Sequence, residues 1–225
     1  MQLKDAKRQW QLRHCQDQAI KHALSAPYPD YKRNWKQTPW LAVDLETTSL
    51  EAKSGEIVSI GWVAIENGAI PLSSMQRWLV KPEGSVGQSA TIHYLRDEDL
   101  AKGQGLRHAL TALATAMSGR VCIFHNKQLD ISFLEKAFQE QFSIGWFWPT
   151  IDTLKLEWKR LQRSGTTHFK RNELRLSNCR KRYQLPDYPL HDASHDALAC
   201  AELFIAWASH SGGLGPSLKD CLRWS

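Results

Sequence analysis

The chain has 225 residues, 42% apolar and 23% charged, with ten tryptophans, a composition that fills a core and excludes a disordered chain. No apolar run approaches the roughly 18 residues of a membrane-spanning helix, and charges in MQLKDAKRQW stand where a signal peptide carries its apolar segment. No membrane anchor is therefore expected, and the protein is read as cytoplasmic. Lys and Arg number 29 against 23 Asp and Glu, a net charge of +6. The surplus is local: ten basic residues face Glu157 and Glu173 between Lys155 and Arg182, eight face three acids between Met1 and Lys36, and the remainder is net −7. Basic flanks on an acidic body suit a protein that grips a polyanion while carboxylates hold divalent cations; a solvated helix face is the competing reading. The five cysteines, Cys15, Cys122, Cys179, Cys200 and Cys221, form no Cys-x-x-Cys pair and are read as free thiols.

Length favours one domain plus an appendage. Leu12, Cys15, Ala19 and Ala23 recur at helical intervals, predicting one amphipathic helix over Asp5 to Ser25. The helix-breaking run Pro27 to Tyr31 follows as a linker. The expected division is a basic helical extension with its linker over 1–36 and a main domain over 37–225. WLAV ending in Asp44 predicts a first strand, and Glu56 to Ile65 a second, before the Asn67-Gly68 turn and a returning strand over Arg77 to Val80. Leu106, Leu110, Leu113 and Met117 form a helical stripe that stops at Gly119, and Val121 to Phe124 reads as a buried strand. Helices are predicted over Ile131 to Phe142, Ile151 to Arg163 and Asp192 to Ser209. Strands first, then helices alternating with strands, imply an α/β domain with a mixed sheet covered on both faces.

Asp44 and Glu46 end the first strand, and side chains at i and i+2 point to one face. Two carboxylates so placed raise each other's proton affinity unless a cation neutralises them. Asp130 stands before the Ile131 to Phe142 helix, where a metal role and an N-cap role are both open. His191 and Asp196 stand five apart at the opening of the last helix, within about a turn and a half of each other. Four acids and a histidine at a strand end and two helix starts form a hard oxygen donor set that suits Mg²⁺ or Mn²⁺ rather than zinc.

AVDLETTSL (Ala42 to Leu50), IFHNKQLDISFL (Ile123 to Leu134) and HDASHDALACAELF (His191 to Phe204) resemble, in order, the three motifs of the DEDDh 3′–5′ exonucleases. That family has a ribonuclease H-like fold and includes the proofreading subunit of bacterial replicative polymerase, ribonuclease T and oligoribonuclease. The resemblance runs from about Trp40 to His210 and includes Thr91-Ile92-His93. Ser49 departs from the family's glycine, and Leu129 from its aromatic residue. The interval from His191 to Asp196 matches the histidine subgroup rather than the tyrosine one.

The resemblance implies that Asp44, Glu46, Asp130 and Asp196 hold two divalent ions roughly 3.5 to 4 Å apart. His191 would be the general base, since its unperturbed pKa of about 6.5 suits proton removal near neutral pH. His195 is given a minor role, Asp152 is read as a helix cap, Asn126 as an organiser of the second motif, and His125 is left open. Thr47 would contact the terminal 3′-hydroxyl and Leu50 would wedge between the last two bases, the alternative for Leu50 being plain core. Trp146, Phe147 and Trp148 either stack on bases or pack the core. Arg175, Arg180 and Arg182 in the basic segment are expected to grip the strand.

The expected activity is thus 3′–5′ exonucleolytic release of nucleoside 5′-monophosphates from single-stranded DNA. Alternatives are an exoribonuclease acting on RNA ends or short oligoribonucleotides, and a polymerase-associated nucleic-acid-binding adaptor. The chain ends soon after its last predicted helix, without the long tail of the proofreading subunit, and is expected to be able to act alone, with DNA polymerase association left open.

Overall fold

The computed structural model describes residues 2–82, 97–165, 170–188 and 191–225. The two most continuously apolar segments form adjacent strands, β1 (Trp40–Thr47) and β2 (Ile57–Ile65), in which every side chain except the half-buried Asp44 is buried. Strands so buried belong at the centre of a sheet covered on both faces. β3 (Gln76–Leu79), β4 (Val121–Phe124) and β5 (Thr150–Asp152) complete a five-stranded sheet of order β3-β2-β1-β4-β5. β2 runs antiparallel to β1 and β3, whereas β1, β4 and β5 are parallel. The carboxyl ends of those three strands therefore share one edge of the sheet, where open α/β sheets build their sites. This is the mixed sheet expected above, in the ribonuclease H-like arrangement.

Two cores lie on opposite faces. Leu110 and Leu113 of α4 (Leu106–Met117), and Leu134 and Phe138 of α5 (Lys127–Phe142), pack on one face with Ile20 and Leu24 of α2 (Gln18–Ser25). On the other, Leu156 of α6 (Thr153–Arg163), Phe204 of α8 (Ala193–Ser209) and Leu218 of α9 (Leu218–Trp224) surround Trp40. α1 (Gln2–His14), α3 (Asp97–Ala101) and the short α7 (Leu176–Lys181) are peripheral.

The N-terminal region differs from its expected form. Instead of one helix over Asp5 to Ser25, α1 ends at His14 and α2 starts anew, because Asp17 accepts the backbone N–H of Ala19 at 3.1 Å and of Ile20 at 3.2 Å and so caps a second helix. The segment read as an extension and linker is built into the body: α2 shares the first core, Trp35 is buried in the second, and the Tyr28 hydroxyl donates to Phe147 O at 2.7 Å. α5 begins at Lys127, earlier than expected, and Ile151 and Asp152 belong to β5 rather than to the helix that follows. Thr91, Ile92 and His93 lie outside the described residues. All five cysteines are buried and free.

Candidate active site

The site starts from the end of β1. Asp44 and Glu46 project to the same face of the strand, with Asp44 opposite Gly61 and Glu46 opposite Ser59 on β2. The N-terminus of α8 is pressed onto this place. A methyl group on Gly61 would lie 2.1 Å from Ala193 C and 2.3 Å from Ser194 N, so only glycine lets the helix backbone approach so closely. Asp192 caps α8, accepting Ser194 N at 3.0 Å and His195 N at 3.2 Å, and Arg77 on β3 pairs with it at 2.7 Å. Asp196 thereby sits in the first turn of α8, where one oxygen each from Asp44, Glu46 and Asp196 lie within 4.8 Å of one another.

Asp130 arrives from another direction. Asp152, buried at the end of β5, accepts the N–H of Asn126 at 2.9 Å, of Lys127 at 3.3 Å and of Leu154 at 3.0 Å. One carboxylate therefore satisfies orphan donors at the starts of both α5 and α6. Asn126 adopts the left-handed conformation (φ 70°, ψ 50°) at this junction, and Asp130 lies one turn into α5, buried and free of any capping duty. That excludes the N-cap alternative.

These acids disfavour each other's charge. Burial pushes the Asp130 carboxyl up to about 7, with backbone N–H groups opposing and Asp152 and Glu46 adding to the rise. Burial followed by the charge of Glu46 pushes Asp196 up to about 6. Asp44 is raised well above the ordinary carboxylate range by burial and then by Asp130, Asp196 and Glu46. An all-oxygen set in this condition fits a divalent ion, which would remove the repulsion.

His191 is exposed at the rim, in the left-handed region (φ 67°), and its backbone N–H donates to Asp196 Oδ2 at 3.1 Å. His195 turns instead toward the α8 cap, with Nδ1 3.3 Å from Asp192 Oδ1. His125 is half-buried between Thr153 Oγ1 at 2.9 Å and Leu174 O at 2.8 Å. Burial lowers its pKa against the opposing hydrogen bond that Nε2–H donates to Leu174 O, and Nδ1 faces the Thr153 hydroxyl, which itself donates to Phe124 O at 3.1 Å. The imidazole fastens β4 to the segment before α7.

Thr47 is buried and its hydroxyl donates to Ser49 O at 2.7 Å, fixing the turn that presents Leu50. Leu50 is 81% exposed, which rules out the core alternative. Trp148 is buried and Trp146 packs on Phe124 and Phe138, so these rings belong to the core. Of the three expected strand-gripping arginines, only Arg175 is exposed. Arg180 is a correction: it is buried, and its guanidinium is taken up by Ala199 O, Pro186 O and Glu202. Arg182 is another, because it donates to the fully buried Glu157 and to Glu173 O, locking α7 against α6. Sequence reading missed Gly61 and Arg77. A lone glycine inside an otherwise apolar strand is the signal that points to the first; nothing local marks the second.

An exonuclease family model of the RNase T type matches residues 41–204. The DNA polymerase III PolC-type of Thermotoga petrophila is 24% identical over 203 residues, which are 87% of this chain and 14% of that protein, so the chain spans a small part of such relatives. Exonuclease X in complex with 5′ overhanging duplex DNA superposes with a TM-score of 0.61 at 21% identity, over 81% of this chain and 99% of that one. The zinc-ion-bound form of the E. coli exonuclease I–ssDNA complex superposes with a TM-score of 0.66 at 14% identity, over 79% of this chain and 42% of that one. The two structures share the fold, and the family match runs from β1 to α8, across every acid of the cluster. The chain belongs to the exonuclease family, in its DEDD 3′–5′ group.

Proposed function

We propose that the chain hydrolyses nucleotides one at a time from the 3′ end of single-stranded DNA and releases nucleoside 5′-monophosphates, with Mg²⁺ or Mn²⁺ held by Asp44, Glu46, Asp130 and Asp196. The observation that carries this reading is the crowding of the acids: three share a space within 4.8 Å, and burial lifts Asp196 and Asp130 to about 6 and about 7. Bound there, the ions supply Lewis acidity and offset the charge that develops at the phosphate.

The chain's own residues do the remaining work. His191, tied through its backbone to Asp196, accepts the proton of the attacking water. The water oxygen bonds to phosphorus as the bond to the 3′-oxygen of the preceding nucleotide breaks, and that oxygen takes a proton from solvent to become the new 3′-hydroxyl. Thr47 and the exposed Leu50 hold the terminal nucleotide by its 3′ end and its base, and Asn126 orders the turn that carries Asp130. Arg175, next to the Leu174 carbonyl that His125 holds, meets the strand near the site. DNA is favoured over RNA because relatives and structural neighbours bear the names of DNA polymerases and DNA complexes. The same relatives favour a DNA polymerase as partner.

The test is release of 5′-monophosphates from matched single-stranded DNA, duplex DNA and RNA, by the parent chain and by His191→Ala. Single-stranded DNA should be the best substrate, and the variant should lose roughly 10² to 10⁴ in rate, the range for removal of a general base. Equal rates for the two chains would remove His191 from the role.

A further inference from the structure

We propose that a basic stripe along α6 is the track on which the single strand lies as it leaves the active site, ending in a cation–aromatic cradle between α6 and α9. The inference rests on the exonuclease reading above and adds the path of the substrate to it.

α6 starts directly after Asp152, the residue that also holds the start of α5, so its N-terminus stands at the catalytic edge of the sheet. Its 11 residues then lead away from that edge, over about 16 Å at the rise of an α-helix. Lys155, Lys159 and Arg163 recur every four residues, which puts them on one stripe with about 6 Å of rise per step. That step is on the scale of the distance between successive phosphates of an extended strand, the form that single-strand grooves accommodate.

Chemistry agrees with position. Lys155 and Arg163 are exposed and Lys159 is half-buried, and none of the three pairs with a carboxylate among the described residues. Their basic neighbours differ: Arg160 and Arg182 are committed to Glu157, and Arg180 to Glu202. At its far end the stripe opens into a hollow of about 320 Å³ lined by Lys159, Gln162, Arg163, Arg223 and Trp224, with no acid in the lining. The Arg163 guanidinium lies 4.5 Å from the centre of the Trp224 ring, and Lys159 Nζ donates to Arg223 O at 3.1 Å, so the cations are held in place. Trp158, 38% exposed beside the stripe, offers a stacking face. Regular cations interleaved with aromatic rings match a single-stranded polynucleotide, whose phosphates and bases they contact independently of sequence.

The experiment measures binding of labelled DNA strands of about four and about twelve nucleotides to Asp44→Asn protein, which binds without cutting, at a series of salt concentrations. With Lys155→Ala, Lys159→Ala and Arg163→Ala combined, the Kd of the longer strand should rise at least about tenfold and its log–log salt slope should flatten by about 2, from about 0.7 per lost phosphate contact. The shorter strand, which stays near the catalytic edge, should change less than about twofold. A triple variant that keeps the charges, Lys155→Arg with Lys159→Arg and Arg163→Lys, should bind the longer strand as the parent does. Removing three cations elsewhere, by Arg13→Ala, Lys21→Ala and Lys102→Ala, should leave its Kd unaltered. An unchanged Kd and salt slope in the first triple variant, or equal weakening in the last, would overturn the track. Because binding is read in a chain that does not cut, a failure of the parent chain to release mononucleotides counts against the exonuclease reading instead.

Discussion

Asp130 keeps its proton up to about pH 7 because burial penalises its charge, and Asp196 keeps its own to about 6. In the unfolded chain both ionise near 3.8, the ordinary value of an aspartate. Between about pH 4 and about pH 7 the folded state therefore binds more protons than the unfolded one, and stability falls as pH rises through that window. A divalent ion reverses the sign, since it favours the ionised acids. In EDTA, Tm should be lower at about pH 7.5 than at about pH 5, adding Mn²⁺ should restore it at the higher pH, and Asp130→Asn should flatten the metal-free dependence. A Tm that is independent of both pH and metal would contradict the crowded-carboxylate description. At this scale the acids were legible, because the i, i+2 spacing on a strand and the acids at helix starts are local patterns. Arg180 and Arg182 were not, because a count of charges carries no information on burial, and their partners Glu202 and Glu157 lie 22 and 25 residues away in the chain.

Elements matter here through the places where they touch. α8 reaches the site only because Gly61 lets its first turn rest on β2, and that contact brings Asp196 to Asp44 and Glu46. Gly61→Ala should push the start of α8 outward, at a cost of about 1 to 3 kcal/mol for overpacking, and should weaken Mn²⁺ binding measured by calorimetry along with activity. Full metal affinity in a folded Gly61→Ala chain would show that the close approach is dispensable. Strands and long helices were readable from periodicity, as β2 and α4 illustrate. Boundaries fixed by side-chain caps were harder. Asp17 divides the N-terminal stretch into two helices by taking two backbone N–H groups, and Asp152 starts α5 from 25 and 26 residues away. α7 and α9 are too short to show a helical period above the noise of six and seven residues.

At the scale of the whole molecule, the sheet separates two tasks. Its carboxyl edge gathers the acids, and one flanking layer, α6 with α9, carries a row of cations that pair with no carboxylate among the described residues. The other layer incorporates α2, so the N-terminal region contributes to the core of the domain rather than hanging from it. Composition predicted the coexistence of an acidic body and basic segments; which cations face solvent depended on packing that brings Glu157 and Glu202 under their neighbours. Together these features assign to the carboxylates a metal-dependent reaction at the 3′ end of a strand. The most direct test is a time course on 5′-labelled single-stranded DNA with Mn²⁺, with Mn²⁺ plus excess EDTA, and with Asp44→Asn protein. The first reaction should give a ladder that shortens one nucleotide at a time from the 3′ end, and the other two a rate lower by at least a factor of about 10². Undiminished turnover in EDTA, or internal cuts in place of the ladder, would contradict it.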